Sequence, residues 1–136
     1  MLFRSPLPLT DSCGSAVHAA LDMIEMIELF NVDRAAAGKP PIRIGVGIAT
    51  GEMVAGYTGT QQRATYTCIG DTVNLAARLE AHTKEAACPI LIDEATRAGL
   101  GERIPVKPLG TVNFKGKALA VKVFSVDVPG RSAGAV

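Results

Sequence analysis

The sequence of 136 residues has no tryptophan, and aromatic residues make up only 4% of it. Its core must therefore be assembled from Ala, Val, Ile and Leu, and it offers no series of rings on which single-stranded bases would stack. Charge of one sign is also lacking: 14 basic and 13 acidic residues leave a formal net charge of +1. Without a global field to attract nucleic acid or an anionic membrane, any anion binding has to be local. Cys13, Cys68 and Cys88 are odd in number and widely spaced, with no CxxC or Cys/His cluster. That spacing argues against a disulfide framework and a zinc site, and fits a reducing compartment. No apolar run approaches the roughly 18 residues of a membrane helix. The opening MLFRSPLP is too short, and too soon interrupted by Arg4, Pro6 and Pro8, for a signal peptide, so the chain reads as cytoplasmic.

What is present is a chain with 48% hydrophobic and 20% charged residues, the balance of one soluble domain. Thr10, Asp11 and Ser12 offer N-caps to a long helix in which Val17, Ala20, Leu21, Ile24 and Ile27 share one face, ending near Gly38. After Pro40 and Pro41, the residues Ile42, Ile44, Val46 and Ile48 alternate with Arg43, Gly45, Gly47 and Ala49 as in a strand. Gly51-Glu52 supplies a turn and MVAGY a second strand, so Ile42 to Tyr57 reads as a hairpin, followed by a polar loop from Gly59 to Arg63. A third strand leads into a helix capped by Asp71 or Thr72 and running to about Thr83. PILI is a short buried strand, and Asp93 caps the short helix that carries Thr96 and Arg97. Two last strands, IPVKPLGTVNF and ALAVKVFSVDV, are joined by KGK, and residues 129–136 form a C-terminal tail. The expected class is α+β, a largely antiparallel sheet packed on helices.

Few residues stand out chemically. Asn74 and Arg78 lie four apart on a helix otherwise made of Val73, Leu75, Ala76, Ala77 and Leu79, and hence on one face. They are either part of a solvated polar stripe or a fork for phosphate oxygens. Lys115 and Lys117 sit at a hairpin tip, where lysines are usually just solvated. GVGIATGE has one residue too many for GxGxxG and no Lys-Ser/Thr for a phosphate loop. Gly45 and Gly47 instead flatten a strand face against something packed close, and Gly51 makes a turn. His18 and His82 have no partner at metal or catalytic spacing and read as structural.

Taken in order, IRIGVGIATGEMVAGYTG, then R-x-x-Y-T-x-I-G-D-T-V-N-L-A-A-R-L-E, then NFKGK closely resemble the class III nucleotidyl cyclase catalytic domain, within it the bacterial adenylate cyclases. The resemblance runs over Ile42 to Val126, and it implies a ferredoxin-like domain over residues 1–128. It implies conversion of ATP to 3′,5′-cyclic AMP and pyrophosphate at a site shared by two subunits of a head-to-tail homodimer. By the same resemblance Asn74 positions the ribose, Arg78 bears on the α-phosphate, Lys115 holds the terminal phosphates, and Thr67 falls where the adenine edge is read. Thr at that position, rather than Asp, is typical of the bacterial subclass often stimulated by bicarbonate.

The family also uses two Mg or Mn ions held by a pair of aspartates, one on a first strand and one in a G-D-G turn before the strand that ends here as MLF. Neither aspartate is found in this sequence, so the expectation is an N-terminally truncated domain, inactive as a homodimer of itself and oligomerising through an open sheet edge. Two other readings stay open: a guanylate cyclase, and a non-catalytic nucleotide-binding or dimerisation module that complements a full-length cyclase.

Overall fold

In the computed structural model, residues 11–60, 63–115 and 119–128 are described, with the backbone alone for Thr58, Thr60 and 63–67. The MLF segment and the 129–136 tail lie outside these residues. A long helix α1 (Ser12–Ala36) is followed by a short strand β1 (Val46–Ile48), then β2 (Val54–Thr60) and β3 (Arg63–Ile69). Next come α2 (Asp71–Ala86), β4 (Ile90–Asp93), α3 (Glu94–Leu100), β5 (Val106–Val112) and β6 (Val121–Val126). Among the described residues the main sheet has four strands in the order β1-β4-β6-β5, and β2 with β3 forms a separate two-stranded arm. Three of the strand pairings are antiparallel and one, β1 with β4, is parallel.

The alternation of strand side chains divides the core in two. Ile90 and Ile92 of β4 face α1 and α3, where they meet Val17, Ala20, Ile24 and Leu100. Leu91 points the other way, into a second cluster with Leu75 and Leu79 of α2 and Val123 of β6. All four residues of β4 are buried because the strand is covered by helices on both faces. Full burial of each large aliphatic side chain contributes about 1.5 to 3 kcal/mol.

β1 follows the expected pattern. Ile44, Val46 and Ile48 pack on the α1 side, and the glycines between them face α2. A Cβ on Gly47 would collide with the carbonyl oxygen of Ala76 and the amide nitrogen of Glu80, and would stand 2.8 Å from Leu79 Cβ. One on Gly45 would strike the Thr83 hydroxyl. The backbone of α2 thus rests directly on β1, and only glycine permits it.

The expected hairpin from Ile42 to Tyr57 does not form. β1 pairs in parallel with β4, Val46 opposite Ile90 and Ile48 opposite Ile92, while β2 pairs with β3 from Val54–Ile69 to Thr60–Arg63. Burial decides this: Ile44, Val46 and Ile48 cover the core on one side and seat α2 on the other, which an exposed hairpin would not achieve. The polar loop shrinks accordingly, because the strands run to Thr60 and from Arg63.

The helix caps divide as the side chains permit. Asp11 caps α1, accepting from the Gly14 N–H at 3.1 Å, and Asp93 caps α3, accepting from the Thr96 N–H at 2.9 Å. Neither Asp71 nor Thr72 caps α2. Its N-cap is Gly70, with φ 141 and ψ 172 and no side-chain cap hydrogen bond, a region open almost only to glycine. The chain turns from β3 into α2 in this one residue. Thr72 instead donates its hydroxyl to the Glu52 carbonyl at 2.8 Å, tying the first turn of α2 to the β1–β2 connection. The three cysteines are unpaired.

Two predictions follow from this packing. Gly47→Val should destabilise the domain by about 1 to 3 kcal/mol or more through overpacking, whereas Gly56→Ala, with nothing within 4 Å of its Cβ position, should stay within about 0.5 kcal/mol. Urea midpoints that fall equally for both would refute the direct seating of α2. The second concerns Asp11, whose carboxylate forms a forked ion pair with Arg103 at 2.6 and 3.0 Å. Hydrogen bonding by Arg103, then by the Gly14 N–H, holds this carboxyl below the ordinary carboxylate range. A depressed folded-state value means the stabilisation is present above about pH 4 and lost as pH falls through the folded value. Asp11→Asn keeps a capping oxygen but loses the charge, so the variant should be less stable than the parent at pH 7, with the gap narrower at pH 3 as the parent carboxylate begins to protonate. An equal gap at both pH values would count against the ion pair.

Candidate functional site

The candidate site is built on the side of α2 turned away from β1. Thr72, Leu75, Ala76, Leu79, Glu80 and Thr83 meet the sheet or its connections, which leaves Asn74 and Arg78 on the opposite side. Asn74 is exposed and Arg78 is partly exposed. The Asn74 backbone N–H donates to the Gly70 carbonyl at 3.1 Å, closing the first turn of the helix. Arg78 has no ion-pair partner among the described residues. Asp71, Ala77, Ala81, Lys84 and Glu85 of α2 are exposed as well, so the pair shares its helix with other solvated residues, and the solvated-stripe reading stands beside the phosphate-fork reading. The two side chains lie about one turn apart on that side.

Thr67 lies on β3, opposite Gly56 of β2 in the arm. Because β3 enters α2 through Gly70 alone, Thr67 sits just before the helix that carries Asn74. Lys115 is exposed, just beyond the end of β5; Lys117 lies outside the described residues. The residue before Lys115 is what connects it to α2. Phe114 packs against the cluster of Leu75, Leu79, Leu91 and Val123, and its ring meets that of His82 edge to face, centroids 5.6 Å apart and planes at 90°. The Phe114–His82 contact thus sets Lys115 next in sequence to a residue packed on α2 at His82, one turn beyond Arg78.

Sequence reasoning left four residues without these roles: Thr72, read as a cap, pins the first turn through Glu52; Gly70 sets the helix direction; and His82, read as structural, meets Phe114. Position 82 follows 74 and 78 at the same spacing of four, a signal that was available to show that the stripe continues. Its partner, more than thirty residues away, had no local signal.

No group of three or more His, Cys, Asp or Glu placed to hold a metal ion occurs among the described residues. Asp71 and Glu80, the acids closest in sequence to Asn74 and Arg78, are exposed. The described residues do not fit a metal pair of the kind the resemblance implies.

Comparison with known proteins gives a consistent result. The family model for the adenylate and guanylate cyclase catalytic domain matches residues 3–127. Adenylate cyclase 1 of Rhizobium meliloti is 35% identical over 125 residues, 92% of this chain and 19% of that protein. The adenylate cyclase of Anabaena cylindrica is 36% identical over 118 residues, 82% of this chain and 24% of that protein. The chain thus spans about a quarter or less of the length of these relatives. Among solved structures, the guanylyl cyclase Cya2 superposes with a TM-score of 0.84 at 30% identity, covering 98% of this chain and 68% of that one. The adenylyl cyclase CyaB from P. aeruginosa gives 0.76 at 29% identity, covering 95% and 66%. Ordered motifs, the layers that carry them and these matches all agree, and the chain belongs to the adenylate and guanylate cyclase catalytic domain family.

Proposed function

We propose that this chain supplies the nucleotide-handling half of a composite adenylate cyclase site and forms 3′,5′-cyclic AMP and pyrophosphate from ATP together with a second chain. The observation that carries this reading is the pairing of Asn74 and Arg78 on the side of a helix whose other side is seated on the sheet, with Lys115 next in sequence to Phe114, which packs on His82 of the same helix. In the reaction the ribose 3′-oxygen attacks the α-phosphorus, gives up its proton, and displaces pyrophosphate by cleavage of the bond to the bridging oxygen. Such a displacement depends on positioning and on neutralising charge. Asn74 orients the ribose, Arg78 meets charge developing on the α-phosphate, and Lys115 holds the terminal phosphates. Thr67 stands at the edge of the base.

The Mg or Mn ions expected for the family would stabilise the attacking and leaving oxygens. Since the described residues offer no fitting set of ligands, we assign them to carboxylates of the partner chain. A partner is also favoured by the β2–β3 arm, which leaves Val54 and Ile69, cross-strand neighbours, 68% and 62% exposed. Either a homodimer or a complementing cyclase chain would cover that surface, but only the complementing chain would also bring the carboxylates. The missing ligand set favours a second reading as well, a nucleotide-binding or dimerisation module without turnover of its own. Adenine rather than guanine is supported by the two adenylate cyclase relatives, against the guanylyl cyclase likeness of Cya2.

The test mixes the purified chain with a cyclase whose own Asn and Arg are replaced but whose metal carboxylates are intact. With ATP and manganese, cyclic AMP formation should return on mixing and fall by roughly 10² to 10³ when the added chain carries Arg78→Ala, by analogy with the loss of an oxyanion donor. No return, or a return indifferent to Arg78→Ala, would overturn the catalytic half-site and leave the module. Turnover by the chain alone that Arg78→Ala abolishes would replace the half-site with a self-sufficient homodimer. GTP in place of ATP, turned over faster, would reverse the base assignment.

A further inference from the structure

We infer that His82 is a positioning residue for triphosphate binding: through its edge-to-face contact with Phe114 it fixes Lys115 relative to Arg78. The inference rests on the half-site reading and adds to it a residue and a route. Asn74, Arg78 and His82 are spaced by four along α2, and at 3.6 residues per turn such positions form one slowly drifting stripe. His82 is therefore the next position of the open stripe after Arg78, yet its side chain is only 19% exposed. What covers it is Phe114, at 5.6 Å and 90°.

Phe114 is held from below as well, by the apolar cluster between α2 and the sheet. Lys115 follows it directly in sequence. A lysine ammonium at the end of four methylenes is a loose anion site, and its precision depends on how firmly its own backbone is held. Here the neighbouring ring is clamped between the sheet-side cluster and the imidazole. The contact of His82 Nδ1 with Glu85 at 3.3 Å is a lesser matter, since the Glu85 side chain is 80% exposed and water screens the pair. The ring, not the charge, is what the position requires.

The route makes a specific demand on ligands. A group that acts through Lys115 affects only those that carry the terminal phosphates. The experiment is displacement of a fluorescent ATP analogue from the chain by ATP, inorganic tripolyphosphate and AMP. His82→Ala should weaken ATP and tripolyphosphate by about 3- to 10-fold, the range of an aromatic pair, and leave AMP unchanged. His82→Phe, which keeps a ring, should restore both, and Glu85→Gln should change nothing. Lys115→Ala should weaken the same two ligands, and His82→Ala added to it should weaken them no further. If Lys115→Ala weakens them and His82→Ala does not, the positioning role is overturned while the half-site reading stands. Equal weakening of AMP by His82→Ala would mean general loosening of α2 and would likewise overturn it. If Lys115→Ala has no effect, the assignment of Lys115 fails, and the role of His82 fails with it.

Discussion

The contact on which the rest depends is the direct seating of the α2 backbone on β1. Between most helices and sheets a layer of side chains keeps the backbones apart; here the Ala76 carbonyl and the Glu80 amide lie where a Cβ of residue 47 would be. The helix axis is therefore drawn in against the strand, and a helix pressed this close cannot roll without a clash. Its rotation fixes which residues face outward. Asn74 and Arg78 owe their aim to glycines on another element.

The opposite face of the sheet makes that seating firm. β1 is only three residues long and lies at an edge of the sheet among the described residues, so alone it would be a weak support. It is held by parallel pairing to β4 and by Ile44, Val46 and Ile48 packing under α1. At its far end Thr50 and Thr96 share a hydrogen bond of 2.8 Å, with Cys13 Sγ 3.5 Å from the Thr50 hydroxyl. The segment leading into it is held as well, since Asn31 pairs with both backbone groups of Ile42, at 2.7 and 2.8 Å. The platform is rigid at both ends, and the β2–β3 arm leaves it as a separate sheet.

Much of this was legible in the sequence where the cue was local. The alternation from Ile42 to Ile48 gave both faces of β1, including the reason for Gly45 and Gly47, and Asp93 was readable as a cap because its acceptor and the Thr96 N–H are three residues apart. The i, i+4 spacing gave the Asn74–Arg78 pair. What escaped was non-local. Gly51-Glu52 looks like a hairpin turn, but the partner of β1 is β4, some forty residues on, and burial on two faces outweighs the turn signal. Asp71 looks like a cap because its side chain suits one, whereas the sharp entry from β3 demands the backbone freedom of Gly70. The link between His82 and Phe114 exists only once the folded sheet has brought the segment after β5 against α2.

The open side of α2 also bears on why such a site would be shared. An exposed amide and a partly exposed guanidinium in water attract a phosphate weakly, because at high dielectric a pair of unit charges about 4 Å apart gains only about 1 kcal/mol, and salt screens it further. The same groups under a second surface, with water displaced, interact several-fold more strongly. Deeper burial within one chain would achieve this too, but the guanidinium would then need a resident counter-charge to offset its desolvation, and none pairs with Arg78 among the described residues. On the proposed shared site, an arginine kept partly exposed avoids that cost until substrate and a partner chain arrive together. The close seating of α2 makes this workable, since the helix reaches its aim without waiting for the partner to supply order.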